Sequence, residues 1–234
     1  MSADVGPSGA SPAWRMALAC TAIAPLALAL GWGLAPVGVT VTAATFLAGA
    51  TIATRGMSHH YPHDRVGACN FVTAIRLAMT AGLAASLTGG VLPGWPVFAL
   101  AILTLSLDGI DGWLARRQGL SSAFGARFDM EVDSALAAIL ALALMLNGRG
   151  GPELLVLGFA RYAFVAAGAA LPWLRAPLRE SFRRKTVCVV QIGTLAALTA
   201  PLLPEILARP AALGAAALVA WSFGRDILWL ARTR

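Results

Sequence analysis

Charge is what this sequence has least of. Only 12% of its 234 residues are Asp, Glu, Lys or Arg, against about 25% in a soluble domain. Hydrophobic residues make up 58%, and the mean hydropathy is +0.74. So few polar side chains cannot wet the surface of a cytosolic globule, and so apolar a chain is not a disordered one. Lysine is nearly absent: of the 18 basic residues, Lys185 alone is not arginine. The three cysteines, Cys20, Cys69 and Cys188, are scattered and form no Cys-x-x-Cys, so neither a disulfide framework nor a thiolate zinc site is supported. The class that remains is an integral membrane protein. In that class a net charge of +7 reflects positive loops facing anionic lipid, and nucleic acid is not expected as a partner.

Charge-free stretches locate the spans. Residues 16–54 hold no charged or histidine side chain, 39 residues in all, which is too long for one crossing of a core about 30 Å thick. The Gly31-Trp32-Gly33 and Ala35-Pro36 region divides it into spans near 14–34 and 37–54. A second run, 77–107, is interrupted by the turn signal from Gly89 to Gly94 and gives spans near 70–89 and 95–115. Four more follow, near 129–147, 153–173, 185–204 and 209–230. The expected fold is therefore an all-α polytopic bundle of about eight transmembrane helices, preceded by a short disordered tail. Ala27-Leu28-Ala29 resembles a signal cleavage site, but the run is long and a second span follows at once, so the first span is read as retained.

With the N-terminus inside, the inner loops and span ends hold 15 basic residues and the outer loops two, Arg149 and Arg209. This asymmetry supports an even number of spans and cytoplasmic termini. Arg161 is left inside a span.

The acids are concentrated. Five of the 11 lie between Asp108 and Asp133, where one span ends and the next begins on the inner side. A carboxylate at the edge of hydrocarbon is costly unless paired, hydrated or metal-bound. Asp108, Asp111 and Ala115 share one helix face, and Asp129 and Asp133 share a face of the next helix. A connection from Arg116 through Gly119 to Gly125 makes the two helices antiparallel neighbours whose acidic faces meet. Four such carboxylates suit hard divalent cations, and two metals would clamp a diphosphate. Gly112, beside Asp111, lets a ligand approach the backbone.

The segment reads Asp108-x2-Asp111-Gly112-x2-Ala115-Arg116-x8-Gly125-x3-Asp129-x3-Asp133. In this it resembles the CDP-alcohol phosphotransferase (CDP-alcohol phosphatidyltransferase) family, matching all eight positions of the family's signature. Asn70-x2-Thr73-x2-Arg76 resembles a second, weaker family pattern at the head of the preceding span. The resemblance implies a six-helix catalytic domain over 67–234, with 1–66 adding a tail, two extra transmembrane helices and a juxtamembrane segment. It implies transfer of a substituted phosphoryl group, in phospholipid biosynthesis a phosphatidyl group, from a CDP-linked donor such as CDP-diacylglycerol to an alcohol, releasing CMP. Asp108, Asp111 and Asp129 would hold two divalent metals, magnesium or manganese, with Asp133 shared or nearby and also serving as general base. Gly112, Ala115 and Gly125 would shape the nucleotide pocket, and Arg116, Asn70 and Thr73 would contact the nucleotide. A homodimer in the bacterial inner membrane, with its active site facing the cytoplasm, is also implied.

Other features carry weaker readings. The stretch from Arg175 through Arg179, Arg183 and Arg184 to Lys185 is either a positive-inside anchor or a site for an acceptor phosphate or headgroup. Arg76 is either a substrate contact or an interfacial anchor. Glu131 points away from the two aspartates flanking it and is read as the partner of an inner arginine. Arg161 is a functional candidate or a structural counter-ion. His59, His60 and His63 are read as a hydrated loop rather than a metal site, and Trp95, Trp173, Trp221 and Trp229 as interfacial belt residues. Gly82, Ala84, Gly193 and Gly214 are expected to allow close helix contacts. Two other functions are weighed against transfer. A cation transporter would place its site nearer the midplane, often with inverted repeats, and an intramembrane aspartyl protease would need no further acidic residues.

Overall fold

The computed structural model describes residues 11–88, 92–178, 181–200 and 203–233. The N-terminal tail, the first residues of the Gly89 to Gly94 turn, and Arg179 lie outside the described residues. Eight α-helices and no strand occur among those described: α1 (Pro12–Leu34), α2 (Val39–His60), α3 (Ala68–Leu83), α4 (Gly94–Gln118), α5 (Ala123–Leu146), α6 (Glu153–Ala170), α7 (Phe182–Thr199) and α8 (Glu205–Arg232). Each expected span falls on one of them. Six are long and apolar enough to cross a membrane. The two that fall short, α5 and α7, carry a cluster of charges at their inner ends: Arg127, Asp129, Glu131 and Asp133 on α5, and Arg183, Arg184 and Lys185 on α7. The periphery is apolar, with Leu47, Ile52, Val165, Val189 and Leu213 exposed, as suits a bundle immersed in lipid.

Local signals end the helices where the acidic motif needs them to end. Gly119 takes φ 65° at the end of α4, a left-handed conformation that a Cβ would strain. Its N–H reaches the Arg116 carbonyl at 3.3 Å, and the Leu120 N–H reaches the Ala115 carbonyl at 2.9 Å. This Schellman arrangement satisfies carbonyls that the helix end would orphan. Three residues after Gly119, Ser122 caps α5, its Oγ accepting from the Gly125 N–H at 3.0 Å. The connection is thus 119–122, tighter than the Arg116 to Gly125 segment expected.

The helix α3 is the axis of the fold. Of its apolar stretch 78% is buried, against 22% for α1, α2 and α4. Helices α1 and α2 pack against one side of it, and α4 and α5 against others. Met16, Cys20, Phe46, Met57, Leu77 and Phe128 form one apolar cluster where the N-terminal pair meets α3 and α5. A larger cluster, including Val97, Leu140, Leu157, Leu195 and Val219, joins α4 through α8.

Two expectations about packing change. The helices α4 and α5 are not close neighbours along their length; α3 and α7 pack against both and keep them apart. Their acidic faces converge at one point only, because four carboxylates repel one another and a cation has to stand between them. The small residues also divide. A Cβ at Gly82 would sit 2.7 Å from Leu30 Cβ, so that glycine does permit α1 to approach α3, and Ala84 is buried. Gly193 and Gly214 face open space and make no such contact among the described residues.

Candidate active site

Three consecutive turns of α3 present Asn70, Thr73 and Arg76, all buried. Arg76 is 0% exposed and reaches into the acidic motif. Its Nη1 donates to Asp111 Oδ2 at 2.8 Å and to Asp129 Oδ1, and its Nη2 bonds Asp133 Oδ1 and pairs with Asp108 Oδ1 at 3.0 Å. The remaining nitrogen, Nε, donates to the Thr104 carbonyl at 3.2 Å. All four motif aspartates therefore meet one guanidinium. If all are ionised, four negative charges against one positive leave an excess that further cations must offset.

The metal expectation can be tested against this donor set. Asp108, Asp111 and Asp129 each offer an oxygen, and these oxygens lie within 4.8 Å of one another. A set of carboxylate oxygens at that spacing fits hard cations such as magnesium or manganese. Asp133 joins the group through Arg76. Exposure sets the direction of approach: the Asp129 side chain is 32% exposed and that of Asp111 only 5%.

Thr73 Oγ1 lies 3.0 Å from Asp111 Oδ2 and 3.0 Å from the Cys69 carbonyl, so its single proton serves one or the other. Asn70 Nδ2 donates to the Tyr61 hydroxyl at 3.0 Å. Gly112 and Ala115 are half-buried on the same face of α4, and Arg116 is exposed beside them. Among the described residues, a Cβ at Gly112 would find only Arg116 Nη1 nearby, at 3.5 Å. Gly125 is held by the Ser122 cap.

Two contacts at the site were not legible in the sequence. Cys188 of α7, which reads as part of an apolar run, points its thiol at Asp133 Oδ2 at 3.7 Å. The segment between α2 and α3 straps the motif loop. Tyr61 stacks edge-on against Phe124 at 6.0 Å, and His63 Nε2 lies 3.4 Å from the Ser121 carbonyl. Arg65 reaches the Gln118 carbonyl at 3.5 Å, and a side chain at Gly67 would collide with Leu120 and Gln118. His63 thus belongs to this strap, whereas His59 and His60 lie in the last turn of α2 and not in the loop expected for them. Among the described residues, the three aspartates are the group spaced to take a metal.

The basic stretch is built differently from one residue to the next. Arg183 Nη1 donates to the Ser222 carbonyl and hydroxyl, each at 2.7 Å, and its Nη2 pairs with Asp226. Arg184 Nη1 lies 3.6 Å from Asp226 Oδ1, and Lys185 is exposed. Arg175 Nε donates to the Gly168 carbonyl at 2.7 Å near the end of α6. A cavity of about 360 Å³ opens here, lined by Ser181, Arg183, Arg184, Arg225, Asp226 and Trp229 among others. The Arg183 and Arg225 guanidinium groups both lie over the Trp221 ring, at 5.5 and 5.7 Å from its centroid. Away from the site, Glu131 pairs with Arg161 of α6 and not with the inner arginine expected, because α6 packs against α5 and brings the in-span arginine its counter-ion.

Residues 66–224 match the sequence model of the family described as CDP-alcohol phosphatidyltransferase. No solved structure matches the chain.

Proposed function

The chain belongs to the CDP-alcohol phosphatidyltransferase family, and on that footing we propose that it transfers a phosphatidyl group from CDP-diacylglycerol to an alcohol, releasing CMP, in phospholipid biosynthesis. The observation that carries the reading is the convergence of Asp108, Asp111, Asp129 and Asp133 from two helices onto one point. In this reading Asp108, Asp111 and Asp129 would hold two divalent metals, with Asp133 shared or adjacent, and metal held there would supply charge neutralisation for the diphosphate. Asp133 accepts the proton of the acceptor hydroxyl. The acceptor oxygen bonds to the phosphorus that bears the lipid. The bond from that phosphorus to the bridging oxygen breaks, and CMP leaves with the bridging oxygen. Gly112 and Ala115 leave a shelf on α4 for the nucleotide, with Arg116 at its edge.

The acceptor reading rests on register along α7. Arg184 and Cys188 are one helical turn apart, about 6 Å of rise, and the Cys188 thiol meets Asp133. The basic cavity is therefore close to the proposed base, and its chemistry suits an acceptor that carries a phosphate. The family match begins at residue 66, which supports dividing the chain into 1–66 and a catalytic unit from 67 onward. A homodimer is part of the proposal, with the open faces at Gly193 and Gly214 available to a second copy. The 15 inner basic residues favour a cytoplasmic active site.

The test is CMP release by purified protein in lipid vesicles supplied with CDP-diacylglycerol, magnesium and a panel of alcohols, both phosphorylated and neutral. Acceptor-dependent CMP release is expected. No release with any alcohol, alongside release from another CDP-linked donor, would reassign the donor.

A further inference from the structure

Arg76 is a guanidinium with no exposed surface on a membrane-spanning helix. A charge there persists only if it is fully paired. Each of its nitrogens is engaged within the protein, four of the contacts going to aspartates and one to the Thr104 carbonyl. The carboxylates it holds include all three whose oxygens are spaced for a metal. A planar fork of donors suits several carboxylates at once in a way a point charge does not. A divalent cation and a guanidinium cannot both sit in contact with the same oxygens without strong repulsion.

We propose that Arg76 is a resident counter-cation: it holds the four aspartates together before metal arrives, and metal loading exchanges the guanidinium for the divalent cation on those oxygens. This rests on the reading of the aspartates as a metal site and deepens it. Arg76 acts through the carboxylates, as a positioning residue, because its buried donors are all engaged by protein groups in this arrangement. Two consequences follow from the exchange. The wild-type fold tolerates metal removal, because the guanidinium offsets the repulsion that remains. The wild-type affinity for metal is also lower than the carboxylates alone would give, because the guanidinium has to be displaced.

The experiment uses the full chain purified in detergent and stripped with EDTA, with manganese binding followed by electron paramagnetic resonance and melting followed with and without manganese. Wild-type protein should bind manganese and keep a cooperative melt in EDTA. Arg76→Gln should bind manganese at least 10-fold more tightly, melt earlier in EDTA, and gain more in Tm from manganese than wild type does. Arg76→Lys, with one compact charge, should fall between the two in affinity. Equal or weaker binding by Arg76→Gln overturns the exchange, as does a loss of Tm that is the same with and without manganese. If Arg76→Gln folds only with manganese present, that is the expected dependence at its extreme. If it does not fold even then, Arg76→Lys decides, and binding no tighter than wild type overturns the proposal. Wild-type protein that binds no manganese would overturn the metal site itself, an outcome read before any variant is compared.

Discussion

Asn70 donates from Nδ2 to the Tyr61 hydroxyl at 3.0 Å, and that hydroxyl donates in turn to the Arg65 carbonyl at 3.1 Å. One phenol thus fastens the first residue of the α3 pattern to the segment that straps the motif loop. Burial raises the Tyr61 phenol above its ordinary range, so it keeps its proton and both bonds at neutral pH. Tyr61→Phe should retain the ring against Phe124 and remove the two bonds. The expected cost is about 1–3 kcal/mol, the range for a polar group left without its partner, read as a lower Tm. An unchanged Tm would mean that water replaces the hydroxyl.

The metal reading predicts a graded response from the aspartates. Asp108→Asn, Asp111→Asn and Asp129→Asn should each raise the magnesium concentration needed for half-maximal activity, and chelator should abolish turnover in wild type. Asp111→Asn should be the most damaging to folding, because that carboxylate is the most buried of the three and lies 3.0 Å from Thr73 Oγ1. Full activity after thorough metal removal would end this reading.

Asp133 separates binding from turnover. It meets Arg76 and Cys188 and stands outside the closely spaced oxygen set. Asp133→Asn should lower kcat by about 100-fold or more, the scale of a lost general base, while affinity for a CDP-linked donor changes much less. Equal losses in donor binding and turnover would make Asp133 chiefly a ligand.

The two adjacent arginines of α7 should behave differently. Arg183 ties α7 to α8 through Ser222 and Asp226, so Arg183→Ala should lower stability and leave Asp226 short of a partner. Arg184 lines the cavity on the helix face that carries Cys188. Arg184→Ala should raise the KM for an anionic acceptor and leave the KM for the CDP-lipid unchanged. The reverse pattern, with a stable Arg183→Ala protein of raised acceptor KM, would exchange the two roles.

Much of this molecule is written locally. Long charge-free runs, broken at Ala35-Pro36 and closed by arginines, mark the helices. Gly119 and Ser122 mark the turn between the acidic helices, since positive φ and an N-cap are short-range requirements. The spacing of the four aspartates sets them on two helix faces wherever those helices pack. Glu131 could be assigned an arginine, but the sequence pointed to an inner one and the packing of α6 against α5 supplies Arg161 instead.

Tertiary structure decided which faces meet. The sequence placed the acidic helices side by side, but the fold sets α3 against both and buries Arg76 among the carboxylates. Arg76 and Asp133 are 57 positions apart, and Cys188 and Asp133 are 55 apart. No helical period or capping signal acts over such separations. Those contacts depend on shape and charge balance across several packed helices. A buried guanidinium finds its acids, and mutually repelling acids gather around it, only once the whole bundle has removed them from water.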